Sequence, residues 1–215
     1  MRAAVLGADD GIVSTASILI GVAAASASRS SIIVAGLAAL VGGALSMAAG
    51  EYVSVSSQRD TERADIARER RELARTPELE LEELTEIYLQ RGLDEALARE
   101  VATKLTAEDP LGAHLRDELG IHHAGRARPW QAAFVSAGSF AVGASLPLGG
   151  AAAAPSDGRI EVVAGVALAL LALTGAVGGR LGGAPMGRAA ARVLAGGGLA
   201  MGAAALIGDL VGTTI

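Results

Sequence analysis

Six residues of this chain have the right types and spacing to hold a divalent cation. Glu69 and Glu72 are three residues apart, as are Glu80 and Glu83, so each pair lies on one face of a helix. Thr76-Pro77 separates the two pairs. A residue before proline avoids the helical region, so the two helices meet at a tight turn and run antiparallel, and the four carboxylates can converge. Further on, His114 and Glu118 are four apart, with His122 one turn beyond. Carboxylates with imidazole suit divalent first-row metals such as Fe(II) and Mn(II). The chain has no cysteine, which excludes thiolate ligands and disulfides. The competing reading is a solvated helix face, with the glutamates paired to Arg68, Arg71 and Arg75.

A second set of residues lies in apolar surroundings. Asp9 and Asp10 follow Ala3-Ala-Val-Leu-Gly-Ala8 and precede Gly11-Ile-Val. An acid at mid-depth in a bilayer costs about 2.5 kcal/mol or more, so it is functional by default, unless these two sit at the interface. Met47 and Glu51 are four apart, with Ser54 next on the same face. A thioether and a carboxylate on one stripe make a transit site for a soft-to-borderline cation, although Met alone is more often core filler. Asp209, near the end of the last apolar stretch, reads as interfacial.

The elements that must position these residues follow from charge distribution. The 215 residues are 51% hydrophobic and 19% charged, below the ~25% usual for soluble domains. Between Arg59 and Arg128 lie 12 of the 18 basic and 17 of the 23 acidic residues, which accounts for the whole net charge of −5. The acidic insert suits cationic ligands and argues against nucleic acid. Five stretches approach the roughly 20 apolar residues a spanning helix needs: about 3–27, 32–55, 131–154, 160–181 and 189–213. The first carries acidic residues and leads almost directly into the second, unlike a cleavable signal peptide. The division is therefore 1–55 (two membrane helices), 56–128 (a helical insert) and 129–215 (three membrane helices).

Orientation follows from the Lys and Arg residues near the loops. With the N-terminus cytoplasmic, that side receives 16 and the other only Arg29 and Arg159, which places the insert in the cytoplasm. The insert reads as three helices. The first continues the second span to Arg75, the second runs from Pro77 to Arg91 with Gly92 as its cap, and the third starts at Asp94, breaks near Pro110 and resumes to Gly120. Small residues four apart (Gly175/Gly179, Gly178/Gly182, Gly198/Gly202) allow close helix packing, within the bundle or between two copies. Pro147 is expected to kink the third span, and five helices with so few aromatic anchors predict a dimer. A partial echo of residues 40–47 in 194–201 is cheap in Ala/Gly-rich sequence. Lys104 is the single lysine, an Arg bias that predicts a GC-rich, bacterial genome.

Asp10-Gly-Ile-Val-Ser14, Ala44-Leu-Ser-Met-Ala-Ala-Gly-Glu-Tyr-Val-Ser-Val55 and Ser139-Phe-Ala-Val-Gly-Ala-Ser-Leu-Pro-Leu148 resemble the vacuolar iron transporter family. So do Glu72-Leu-Ala-Arg-Thr-Pro-Glu78 and Asp117-Glu-Leu-Gly120, in the same order over essentially the whole chain. The resemblance implies an all-α polytopic membrane protein with five transmembrane helices and a cytoplasmic three-helix metal-binding insert. It further implies a homodimer that moves Fe(II), and often Mn(II), out of the cytosol by proton antiport. An aspartate and a methionine lining the family's route fall on Asp10 and Met47, and its insert glutamates on Glu69, Glu72, Glu80, Glu83 and Glu118. Where members place two adjacent methionines, this chain has His114 and Leu115; a second-span glutamate falls on Ala39, leaving Glu51 as the candidate for the missing charge.

The expected partners are thus divalent metal, protons, lipid and a second copy, with no prosthetic group and no enzymatic activity. The expected location is the inner (plasma) membrane of a bacterial cell. The alternatives are a membrane-anchored di-iron carboxylate oxidase and a metal-buffering protein. The oxidase chemistry calls for paired Glu-x-x-His motifs, which are absent.

Overall fold

The computed structural model of the chain describes residues 2–121 and 128–214, and every regular element in them is helical. The helices are α1 (Arg2–Ala24), α2 (Arg29–Arg75), α3 (Pro77–Gln90), α4 (Glu95–Glu108), α5 (Pro110–Asp117), α6 (Pro129–Ala153), α7 (Arg159–Leu181) and α8 (Met186–Thr214). Five of them, α1, α2, α6, α7 and α8, carry stretches long and apolar enough to cross a membrane. The chain separates into two compact units: residues 1–52 with 129–215, and residues 53–128. His122 lies outside the described residues.

Local chemistry sets the helix boundaries. Ser26 adopts a positive φ of 58° just past α1, and the Ser28 hydroxyl accepts from the Ser31 amide to cap α2. Pro77 begins α3, and Gly92, at φ +94°, ends it in a conformation that favours glycine. Asp94 caps α4 by accepting from the Leu97 amide at 3.0 Å. Asp109 caps α5 in the same way through Gly112, ahead of Pro110. Within α6, Pro147 is buried in an unbroken helix. Such a proline is tolerated where neighbouring groups satisfy the freed backbone.

In the first unit α1 is central, packed by α6, α7 and α8. Its buried Ile12, Ala16, Leu19 and Ile20 meet Ala151, Val163, Ala167, Leu171 and Met201. The α1–α6 approach is so close that a Cβ at Gly11 would collide with the Phe140 carbonyl, and one at Gly143 with that of Ala8. Such backbone proximity is the main source of helix association where lipid removes the hydrophobic drive. Of the small-residue pairs in the sequence, Gly175 and Gly179 lie against Ala190 and Ala189 of α8, whereas a Cβ at Gly198 or Gly202 would meet nothing within 4 Å among the described residues. The carbonyl end of α6 is capped by the two arginines of the sparsely charged side. Arg159 donates to Ala151 and Ala154, and Arg29 to Ala152.

The second unit contains the remainder of α2 with α3, α4 and α5. Its apolar core is Leu84 and Tyr88 from α3, Ala98 and Ala102 from α4, and Ala113 from α5. Two alanines one turn apart let α4 lie close to α3. The core is small, but it is enough to fix the direction in which α3 and α5 present their polar faces.

Candidate metal centre

Three side chains from three helices of the second unit meet in a buried position: Glu69 of α2, Glu80 of α3 and His114 of α5. His114 has no exposure at all, while Glu69 and Glu80 retain 3% and 7%. Nδ1 of His114 stands 3.0 Å from Oε1 of Glu69, 3.9 Å from Oε2 of Glu80 and 3.0 Å from Oε2 of Glu118. Helix spacing explains which carboxylates point inward. Positions three apart differ by about 60° around a helix, so when Glu69 and Glu80 turn inward, Glu72 and Glu83 fall at the exposed rim. The basic residues of a solvated-face arrangement do not engage this cluster: Arg68 pairs with Asp65, and Arg71 and Arg75 are exposed.

The electrostatics are those of a cation site. Burial pushes the Glu69 carboxyl up to about 7, the negative charge of Glu118 adds to this, and His114 opposes it. Glu83 is shifted upward in the same sense, by lost solvation first and then by Glu118 and Glu80. Oε1 of Glu69 lies 3.0 Å from the imidazole yet is not aligned as a hydrogen bond, and it has no other partner among the described residues. Nε2 of His114 is also buried without a partner among the described residues. Buried polar atoms are rarely left this way, because each orphan costs about 1–3 kcal/mol. A divalent cation would satisfy the carboxylates together.

The membrane-length helices arrange their polar residues differently. Asp10 is exposed on α1, whereas Asp9 is half-buried and accepts a short hydrogen bond from Thr174 of α7. Met47 and Glu51 of α2 are half-buried. Glu69, Glu80 and His114 are the one group of three or more carboxylate and imidazole ligands gathered among the described residues. Tyr52 packs on Trp130 at 4.6 Å between ring centroids, with Phe134 6.1 Å from Trp130. Aromatic groups of this kind mark a membrane interface.

Two polar contacts have no counterpart in the residue patterns above. One is Thr174 to Asp9. The other is Asp117, whose carboxylate accepts from Tyr88 of α3, from Arg91 just past its end, and from the adjacent Arg116. Burial pushes the Asp117 carboxyl up, but these three donors outweigh it and hold the group well below the usual carboxylate range. Tyr88 and Arg91, three apart at the end of α3, were the available sequence signal.

Fold and site together define a class: an all-helical protein with five membrane-length helices and a buried carboxylate–imidazole cluster in its other unit. Comparison with known proteins makes the class specific, because the VIT family matches residues 1–209 and the chain belongs to it. Over 202 residues it is 50% identical to a protein of Acanthamoeba castellanii named vacuolar iron transporter, covering 94% of this chain and 74% of that relative. It is 41% identical over 202 residues to vacuolar iron transporter homolog 2 of Oryza sativa subsp. japonica, covering 94% and 85%. With vacuolar iron transporter homolog 1 of Arabidopsis thaliana it shares 38% identity over 215 residues, covering 99% and 84%.

Proposed function

We propose that this protein is a metal-ion transporter, not an enzyme, which moves Fe(II) and also Mn(II) out of the cytosol in exchange for protons. The observation that carries the reading is the buried Glu69–Glu80–His114 cluster in a chain of this family with five membrane-length helices. The family supports the transport of metal. The donor set supports the metal class, since oxygen and imidazole donors suit Fe(II) and Mn(II). Glu118 is a further donor beside His114, while Glu72 and Glu83 line the rim and draw cations toward the buried donors. A di-iron oxidase would need a Glu-x-x-His from each of two helices; the described cluster offers one histidine, four residues before its glutamate.

In this reading Asp10 and Met47 line the route through the membrane, with Glu51 nearby. The ion needs a negative charge to offset its lost hydration, and protonation of the same carboxylate releases it. An exposed Asp10 on an apolar helix needs cover, and α2 presents the exposed apolar stripe Val34, Leu37, Val41 and Leu45. Both features support a homodimer in which a second copy completes the route. The insert, 56–128, is placed on the cytoplasmic side and the membrane helices, 1–55 and 129–215, in the plasma membrane of a bacterial cell. Purified protein sealed into liposomes tests this: Fe(II) or Mn(II) should enter only with protein present and faster under an opposing proton gradient. Metal binding without any flux would leave a buffering protein, and turnover of Fe(II) to Fe(III) would indicate an oxidase.

A further inference from the structure

We propose that Asp117 is a positioning residue for the cation site: clamped to the end of α3 by Tyr88 and Arg91, it fixes the angle at which α5 presents His114 and Glu118. This inference rests on the cation-site reading above. α5 has only eight residues, and a helix shorter than about 12 residues does not hold itself in water, so its orientation must come from outside. At its start Asp109 supplies a cap. At its end Asp117 is gripped from α3 through three bonds. Tyr88 Oη donates to Oδ2 at 2.8 Å, Arg91 Nη1 to Oδ1 at 2.8 Å, and Arg91 Nη2 to the Asp117 carbonyl at 2.9 Å. Arg91 also lies over the Tyr88 ring, 5.3 Å from its centroid.

The clamp stands beside the ligands in sequence. Neighbouring residues on a helix point about 100° apart, so turning Asp117 to α3 sets the rotation of α5 and with it the direction of the face shared by His114 and Glu118, which are four apart and 3.0 Å from each other. The backbone of the same turn closes on His114 itself, because its carbonyl accepts from the Glu118 and Leu119 amides. Both ligands of α5 are thereby referred to the helix that carries Glu80. A rotation of α5 by a few degrees would misplace Nδ1 without exposing it.

Mn(II) binding to the full-length protein in detergent, followed by calorimetry, and the visible spectrum of bound Co(II), which reports coordination geometry, test the clamp. Asp117→Ala should weaken Mn(II) binding about tenfold or more, as losses in the shell around metal ligands do, and should change the Co(II) spectrum. Tyr88→Phe, which removes one hydroxyl and keeps the ring, should move both readouts the same way by a smaller factor. If Asp117→Ala does not fold, Tyr88→Phe decides alone. Wild-type affinity and an unaltered Co(II) spectrum in the folded variants would overturn the proposal, even if their melting temperature falls. Glu80→Gln separates the two levels: if it binds Mn(II) as the wild type does, the cation site itself is wrong and the clamp falls with it.

Discussion

The two units treat the polar groups that could meet a metal ion differently. The insert gathers Glu69, Glu80 and His114 around one point and shields them. The membrane-length helices disperse theirs: Asp9 is tied to Thr174, Asp10 is exposed, and Met47 and Glu51 are half-buried on another helix. Conduction requires binding favourable enough to admit an ion yet weak enough to let it leave. A clustered site retains a cation, while dispersed single donors let it move. In the proposed function the insert is accordingly the grip and the membrane helices the passage.

The contrast can be broken from either side. The largest expected effect is on the grip: changing Glu69, Glu80 and His114 together to Ala should weaken Mn(II) binding to the full-length protein by a factor of about 100 or more, since removing several charged ligands loses several kcal/mol. Calorimetry showing unchanged affinity would mean the cluster holds no metal.

The next effect is pH dependence. With its carboxyl near 7, Glu69 keeps a proton in the empty site below that pH. Metal must displace it, so Mn(II) affinity should rise about tenfold per pH unit toward 7 and then level off. Between about 4.5 and 7 the folded state binds more protons than the unfolded one, so the empty protein should also lose stability as pH rises through that window. Added Mn(II) should reverse that loss. Flat affinity and stability from pH 5 to 8 would contradict this assignment.

The smallest effect belongs to Met47. Met47→Ala removes a thioether that carries no charge, so uptake should retain its maximal rate with an apparent affinity lower by a factor of about 2–3. A total loss would give Met47 a larger role than one donor can have.

Much of this was legible in the sequence, for identifiable reasons. Long apolar stretches and Pro77 or Gly92 act locally, so helices and their ends follow from neighbouring residues. The Glu-x-x-Glu pairs pointed to one face but gave both members equal weight. Only the packing of Leu84 and Tyr88 against Ala98 and Ala102 decides that Glu80 turns inward and Glu83 remains at the rim. The Asp117 clamp joins residues 26 and 29 apart, and Thr174 reaches Asp9 across 165. No periodicity records such pairs. Nor do the apolar neighbours of Asp10 say which face of α1 packs: Ile12, Ala16 and Leu19 are buried against the other helices and Asp10 is exposed.

The most direct measurement of the central claim is metal and proton flux, followed together in proteoliposomes, for Asp10→Asn beside the Glu69/Glu80/His114 variant. Asp10→Asn should eliminate both fluxes while still binding Mn(II) like the wild type. The insert variant should transport more slowly but remain proton-coupled. If instead Asp10→Asn transports at the normal rate with normal coupling and the insert variant is inactive, the grip and the passage have been assigned to the wrong units.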